Sequence, residues 1–275
     1  YPNSKAGTTY VIPDSVTYIK RDAFNGCTSL THITIPYGVV GIYDRAFYGC
    51  TSLTSITIPD SVYWIQEDAF NGCSGLTSVT IPDSVTSIGN FYNCTSLTSI
   101  VVDAYNENYS SANGVLFNKL KTTLIQYPIG NTAILYLMTG TTLYIPDSVI
   151  SIGDHAFNGS TDLTSVTIPD GVISIGNSAF NGCTNLTSVT IPNSVTSIMS
   201  GAFDGTSLTS VSLGNGILST IDLYPLGYKL NGTGLSLDKI TSVTIPDSVT
   251  SIISGAFNGC TTLTSVLLGS GILST

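Results

Sequence analysis

Residues 163–185 read Leu-Thr-Ser-Val-Thr-Ile-Pro-Asp-Gly-Val-Ile-Ser-Ile-Gly-Asn-Ser-Ala-Phe-Asn-Gly-Cys-Thr-Asn, and Leu186 begins the next copy of this pattern, a period of 23 residues. Eight of the nine Phe fall in one column of the repeat. They are Phe24, Phe47, Phe70, Phe91, Phe157, Phe180, Phe203 and Phe257. A repeat of this length cannot bury its own apolar side, so copies must stack on one another. The period therefore predicts a solenoid.

Each coil is expected to contain two short strands and a tight corner. In Leu76–Ile81 the spacing Leu-x-x-Val-x-Ile is typical of a leucine-rich-repeat strand, with the apolar residues inward and the hydroxyl residues outward. Pro82 removes a backbone donor and ends the strand. The β-branched residues of 85–88 favour a second extended segment. The Asn-Gly step that follows in most coils then supplies a turn with positive φ.

The whole chain is predicted to be mainly β, a single solenoid of about eleven short coils with two wider ones. Regular coils span 12–100, 145–213 and 241–275, a wide unit spans 101–144, and an irregular unit spans 214–240. Within the wide unit, Val115–Asn118 and Thr122–Tyr127 flank a polar turn and predict a β-hairpin. Neither end carries a polar capping coil, so we expect 1–275 to be a fragment of a longer array.

Composition restricts the function. Charged residues are 9% of the chain against a usual ~25%, and the net charge is −9. With no basic run, nucleic acid is not an expected partner. No apolar run approaches the ~20 residues of a membrane span, so we expect no membrane insertion.

The sequence resembles the BspA-type leucine-rich-repeat cell-surface proteins in two kinds of unit. One is Leu-Thr-Ser-Val-Thr-Ile-Pro-Asp-Ser-Val-Thr-Ser-Ile-Gly followed by Ala-Phe-Asn-Gly-Cys. The other is the wide unit with Asn-Gly-Val-Leu-Phe-Asn-Lys and Thr-Leu-Ile-Gln-Tyr-Pro. The resemblance covers essentially the whole chain. It implies a curved right-handed solenoid, an extracellular or cell-surface location and adhesion to host or microbial partners, and it provides no catalytic residues.

Cysteine and histidine do not predict a reactive site. The six Cys share one column, and they are Cys27, Cys50, Cys73, Cys94, Cys183 and Cys260. Disulfides between adjacent coils are the alternative, but two of the six have no Cys in a neighbouring coil, so we predict buried free thiols. A single column does not converge on a metal, and the two His lie several coils apart. We expect no catalytic residue, metal or cofactor.

A first candidate binding surface is a row of hydroxyls on the outward side of the first strand of each coil. The candidate residues are Thr54, Ser55, Thr57, Thr77, Ser78 and Thr80. Solenoids present extended concave surfaces to their partners, and uncharged hydroxyls suit an extracellular protein or glycan. The alternative is that Ser and Thr only suit strands and water.

A second candidate surface comes from the first three coils. Tyr18, Gly41 and Trp64 fall in one outward column, which predicts two rings ~10 Å apart with no side chain between them. This slot could admit a sugar ring or a proline, and its candidate neighbours are Tyr63, Arg21 and Arg45. The alternative is an aromatic ladder with exposed ion pairs, which only stabilises the stack.

The sequence therefore predicts a non-enzymatic, adhesin-like interaction module, monomeric in isolation, that binds through the hydroxyl face, the aromatic residues or both. The alternative is a passive spacer in a surface protein. An ice-ordering hydroxyl array is a third and weaker hypothesis, because His32 and Leu267 interrupt the rows.

Overall fold

The computed structural model describes residues 8–130, 142–214, 239–245 and 261–268. These residues form strands and turns without a helix, as a β-solenoid of about nine turns. The mainly β leucine-rich-repeat solenoid is thus confirmed. The chain divides into two compact units, Tyr1–Ala133 and Ile134–Thr275, and a single solenoid over 1–275 stays a prediction.

The first unit stacks two series of parallel strands, with 23 residues between most partners. The first series is β1 (Thr9–Val11), β3 (His32–Thr34), β5 (Ser55–Ile56), β7 (Ser78–Ile81) and β9 (Ser99–Val102). It forms two sheets, β1–β3 and β5–β7–β9. The second series is β2 (Tyr18–Ile19), β4 (Gly41–Ile42), β6 (Trp64–Ile65) and β8 (Ser87–Ile88). Each regular coil therefore contributes one strand to each series, as the repeat predicts.

The wide unit adds three antiparallel strands to the first unit. They are β10 (Tyr109–Ala112), β11 (Val115–Asn118) and β12 (Thr123–Gln126). The predicted hairpin is the β11–β12 pair, whereas β10 was not predicted because Tyr109–Ala112 lacks an apolar alternation. Asn113 and Gly114 join β10 to β11 with φ of 51° and 81°, as expected of a two-residue hairpin turn.

The second unit repeats the two-series arrangement. Its first series is β13 (Thr142–Tyr144), β15 (Ser165–Thr167), β17 (Ser188–Ile191), β19 (Ser210–Leu213), β20 (Ser242–Ile245) and β21 (Ser265–Leu268). Its second series is β14 (Ser151–Ile152), β16 (Ser174–Ile175) and β18 (Ser197–Ile198). Because β19 pairs directly with β20, residues 214–240 connect adjacent strands. Most of this irregular unit lies outside the described residues. Phe257 and Cys260, in the regular coils that follow, also lie outside them.

The core consists of columns of identical side chains. Phe47, Phe70 and Phe91 are buried, and successive rings stack face to face at 5.3 and 5.7 Å. In the second unit Phe180 lies 4.9 Å from Phe157 and 5.3 Å from Phe203. In-register parallel strands place equivalent residues about 4.8 Å apart, so a planar ring in each coil packs on the next. The inward Phe column is confirmed for the described residues.

Each described corner except that of Phe91 contains two residues with positive φ. The predicted Gly is one of them, at 70° in Gly26 and 76° in Gly72. The other lies two residues before the Phe and was missed, because its residue type varies. Asp22, Arg45 and His155 hold φ of 55–57° at this position. Such backbone strain persists where surrounding bonds hold the chain.

The Cys column lies beside the Phe column and is buried and free of disulfides for the five described members. The thiol of Cys73 donates to the Phe47 carbonyl of the preceding coil at 3.1 Å. Cys183 donates in the same way to Phe157 at 3.2 Å. This contact explains the column, because the small apolar thiol also satisfies a buried carbonyl. The predicted buried free thiols are confirmed for these five.

Native thiol labelling at about pH 8 is expected to leave Cys50, Cys73, Cys94 and Cys183 unmodified, and unfolding without reductant to expose all four. Burial raises the pKa of Cys94 and Cys183 to about 12, from 9.0. Because the folded pKa is the higher one, the stability from these neutral thiols is present below pH 9 and is lost as pH rises towards 12. Peptide mass spectrometry reports each site. Any of the four labelled in the folded protein would contradict the packing.

Candidate binding surfaces

The hydroxyl face lies on β5 and β7 and the residues beside them. All six predicted side chains are exposed, as the alternation requires. They are Thr54, Ser55, Thr57, Thr77, Ser78 and Thr80. The outward placement is therefore confirmed, and binding through this face stays a prediction.

Two of these hydroxyls are engaged within the stack. Thr77 Oγ1 donates to the Thr54 carbonyl at 3.2 Å, and Thr54 Oγ1 donates to the Thr31 carbonyl at 3.4 Å. In the second unit Thr187 donates to the Thr164 carbonyl at 3.3 Å. This column of Thr therefore binds one coil to the preceding one, and only its acceptor lone pairs face a ligand.

The other four hydroxyls differ from the Thr column. The hydroxyls of Ser55, Thr57, Ser78 and Thr80 make no hydrogen bond to the described protein, and all four residues are exposed. They can both donate and accept. The sequence did not distinguish the two classes, because both are outward Ser or Thr on the same strand.

The aromatic patch, defined as Tyr18, Lys20, Tyr43, Tyr63 and Trp64, lies on the second series of strands in the first unit. Strand register aligns Tyr18 and Trp64 with the glycine between them, as predicted. The rings are nevertheless stacked, with centroids 6.3 Å apart and an interplanar angle of 27°. The open slot of ~10 Å is therefore wrong.

Glycine explains the closure of the slot. A Cβ on Gly41 would overlap Nε1 and Cε2 of the Trp64 indole, so this ring lies directly over the glycine. An indole that leans across one coil reaches the next aromatic ring. The absence of a side chain at Gly41 thus allows Trp64 to stack on Tyr18 and leaves no open slot between the two rings.

Tyr43 and Lys20 complete the patch and were missed as binding candidates. Tyr43 meets Tyr18 edge-on at 5.9 Å. Lys20 Nζ lies 4.7 Å from the Tyr18 ring centroid and 4.8 Å from that of Tyr43, within cation–π distance. The sequence did contain a clue to Tyr43: it follows Ile42 at a position where the second unit has glycine, as in Gly153 after Ile152.

The predicted arginines belong to an ion network beside the patch. Arg21 contacts Asp44 at 3.3 Å and Asp22 at 3.5 Å, and Arg45 contacts Asp22 at 3.4 Å. The Arg45 guanidinium also lies 4.8 Å from the Tyr48 ring. These groups are partly or largely exposed, so each ion pair stabilises the fold by at most about 1 kcal/mol. The arginines are therefore less available to a ligand than the sequence suggested.

A shallow depression of about 470 Å³ is lined by Asp44 and Ile65, the residues that directly follow Tyr43 and Trp64 in the sequence. Asp44, Gln66, Glu67 and Ser87 supply its polar groups. Gly89 also lines it, and a Cβ at this position would collide with the Gln66 carbonyl. The patch thus has an aromatic platform and polar groups side by side, which is the usual composition of a ligand site.

Among the described residues, no three His, Cys, Asp or Glu side chains converge on a possible metal position. The described stretches also contain no helix with the length and apolar character needed to cross a bilayer.

The fold and its columns define a leucine-rich-repeat solenoid protein. The sequence pattern of the BspA type leucine rich repeat region matches residues 2–123, 127–226 and 235–275, in six copies. The chain belongs to this family. No curated protein matches the sequence.

Solved structures of three bacterial proteins share the fold. A leucine rich cell surface protein from Faecalibacterium prausnitzii is 29% identical with a TM-score of 0.63, and the match covers 95% of this chain and 79% of that one. The pneumococcal vaccine antigen PcpA is 25% identical with a TM-score of 0.65, over 96% and 66% of the two chains. A leucine-rich repeat protein from Bacteroides ovatus is 26% identical with a TM-score of 0.52, over 96% and 61%. Membership of the BspA type family and the similarity to a cell surface protein indicate a surface or extracellular location.

Proposed function

We propose that this chain is a non-enzymatic, adhesin-like module that binds an extracellular protein or glycan through the aromatic patch. The observation that carries the proposal is a cluster of partly exposed rings on an otherwise hydroxyl-rich stack. Tyr18, which contacts Tyr43 and Trp64, is 38% exposed, and Tyr63, which precedes Trp64 in the sequence, is 49% exposed. The relatives named above support the cell-surface setting.

The patch is preorganised for binding. Tyr18 is held by Trp64 on one side and by Tyr43 at its edge, and Lys20 lies near two of these rings. Rings already fixed in place lose little conformational entropy when a ligand docks, so more of the contact energy appears as affinity. Tyr and Trp are also enriched among residues that dominate binding interfaces.

The second unit supplies an internal comparison. In its equivalent column, strands β14, β16 and β18 carry Ser151, Ser174 and Ser197. The same backbone therefore stacks without aromatic rings at this position. Stability alone does not require Tyr18 and Trp64, and this supports a role in binding.

We expect the double variant Tyr18→Ser and Trp64→Ser to fold and to lose at least about tenfold in affinity for a ligand found by screening glycans and extracellular-matrix proteins. Serine is chosen because the second unit carries it in this column. Ile173→Thr is the control, since this exposed residue lies on the second unit and its column carries Thr196 in the next coil. Trp64 is the only Trp, so its fluorescence monitors the wild-type patch directly. Unchanged affinity in a folded double variant would exclude the patch.

A passive spacer is the second candidate function. It is favoured by the Thr column, in which hydroxyls such as that of Thr77 bond the preceding coil. If the protein is a passive spacer, no glycan or matrix protein will bind it at micromolar concentration. The double variant will then change only the stability of the fold. A thermal-hysteresis assay on the same sample tests the weaker ice-ordering hypothesis.

A further inference from the structure

Five Asn-Gly steps lie in the described residues, and one of them differs from the rest. Four are in coil corners, and the fifth is Asn113-Gly114 in the turn between β10 and β11. The corner steps are Asn25-Gly26, Asn71-Gly72, Asn158-Gly159 and Asn181-Gly182. We propose that Asn113-Gly114 is a site of spontaneous deamidation in the folded protein, and that the fold protects the four corner steps.

The reaction needs only water. The backbone nitrogen of the glycine attacks Cγ of the preceding asparagine, forming a carbon–nitrogen bond and a five-membered succinimide. The side-chain carbon–nitrogen bond breaks, and the amide nitrogen leaves as ammonia with the proton that the glycine nitrogen loses. Water then opens either carbonyl of the ring, which produces aspartate or isoaspartate. The glycine nitrogen must therefore be free to turn towards Cγ.

The four corner glycines are held against this movement. Gly26 N donates to the Tyr48 carbonyl at 2.7 Å, and Gly72 N donates to the Tyr92 carbonyl at 2.8 Å. The equivalent bonds in the second unit are Gly159 N to Asn181 O at 2.7 Å and Gly182 N to Asp204 O at 2.8 Å. Each bond joins a corner to the next coil. Attack would have to break it and rotate a peptide in the middle of the stack.

Carboxylates add to the protection in two of these corners. Asn25 Nδ2 donates to Asp22 at 2.7 Å, and Asn71 Nδ2 donates to Asp68 at 3.0 Å. The carboxamide that would be attacked is thereby held in place by a carboxylate three residues earlier. Both the attacking nitrogen and the attacked carbon are constrained.

The hairpin turn lacks the backbone constraint. In a two-residue turn the ladder closes between Ala112 and Val115, so the N–H of Gly114 has no ladder partner. It makes no hydrogen bond to the described protein. Asn113 is exposed, and water reaches the reacting carbons. Turning the Gly114 nitrogen towards Cγ therefore breaks no hydrogen bond of that nitrogen.

Deamidation here would alter the junction between the hairpin and β9. The Gly114 carbonyl accepts a hydrogen bond from Ile100 N at 2.9 Å. Isoaspartate adds a methylene to the backbone of a two-residue turn and also places a new carboxylate there. We therefore expect the Ile100 amide to exchange with solvent faster in the modified protein.

The test is peptide mapping of the intact folded chain after incubation at about pH 8 and 37 °C. Asn113 is expected to gain the mass of deamidation at least about tenfold faster than any of the four corner sites, the ratio expected when attack must also break one net hydrogen bond. Isoaspartyl methyltransferase labelling should assign the product to the same peptide. In urea all five steps should react at comparable rates, which removes local sequence as the cause.

Either of two results would overturn the proposal. One is a native rate at any corner site within about threefold of the rate at Asn113, which would show that the inter-coil bonds do not protect. The other is a rate at Asn113 that is as slow as the corners while all five react in urea. Hydrogen exchange at Ile100 in purified modified protein provides a separate check on the structural consequence.

Discussion

Phe70→Ala is expected to lower the free energy of unfolding of the first unit by ~3–5 kcal/mol. Phe70 is fully buried and lies between Phe47 at 5.3 Å and Phe91 at 5.7 Å. Truncation removes the apolar side chain from the core and leaves a cavity between two parallel rings. The flanking coils are fixed by their own strands, so they cannot close that gap fully.

Urea unfolding followed by circular dichroism measures the effect. Tyr37→Ala is the matched control, because this ring is 79% exposed and its loss should change stability by less than about 0.5 kcal/mol. The damage should extend to the neighbouring coils, since nearest neighbours share stability in a solenoid. A loss below about 1 kcal/mol for Phe70→Ala would show that the column does not carry the core.

Asn106→Ala is expected to destabilise the wide unit by ~2–4 kcal/mol. The Asn106 side chain is fully buried, and its Nδ2 donates to the carbonyls of Pro82 at 2.8 Å and Val85 at 3.0 Å. Its Oδ1 accepts from the backbone nitrogens of Asn108 at 2.9 Å and Tyr109 at 2.8 Å. Alanine would leave these four backbone groups without their partner.

Hydrogen exchange at Tyr109 and urea unfolding together report this loss. Asn108→Ala is the control, since the Asn108 side chain is exposed and only its backbone takes part. The expected pattern is rapid exchange at Tyr109 in Asn106→Ala and wild-type exchange in Asn108→Ala. Equal stability of the two variants would mean that water replaces the buried amide without loss.

The strand series and the core columns were predictable because they depend only on the period. When copies 23 residues apart stack in parallel register, every column is fixed by its position in the repeat, whatever the torsions of the side chains. The burial of Phe70 and of Cys73 follows from this rule. The outward placement of Ser55 and Thr57 follows from it as well.

The turn between β10 and β11 was not predicted, although its two residues follow a local rule. Asn-Gly favours positive φ at both central residues, which matches the twist of two antiparallel strands. The structure has this geometry at Asn113 and Gly114. The short strand that precedes the turn was not predicted, because its pairing with β11 and not its own residue pattern makes it a strand.

The sequence by itself therefore determined the period, the inward and outward columns and the family resemblance, because these follow from backbone register. Only the tertiary structure decided how side chains use the space between coils. It closed the aromatic slot, since Trp64 leans over Gly41 onto Tyr18 at 6.3 Å. It also directed the Thr77 hydroxyl to a backbone carbonyl and buried Asn106 among four backbone groups. Rotamers and hydrogen-bond partners depend on contacts across coils, and a one-dimensional repeat does not specify them.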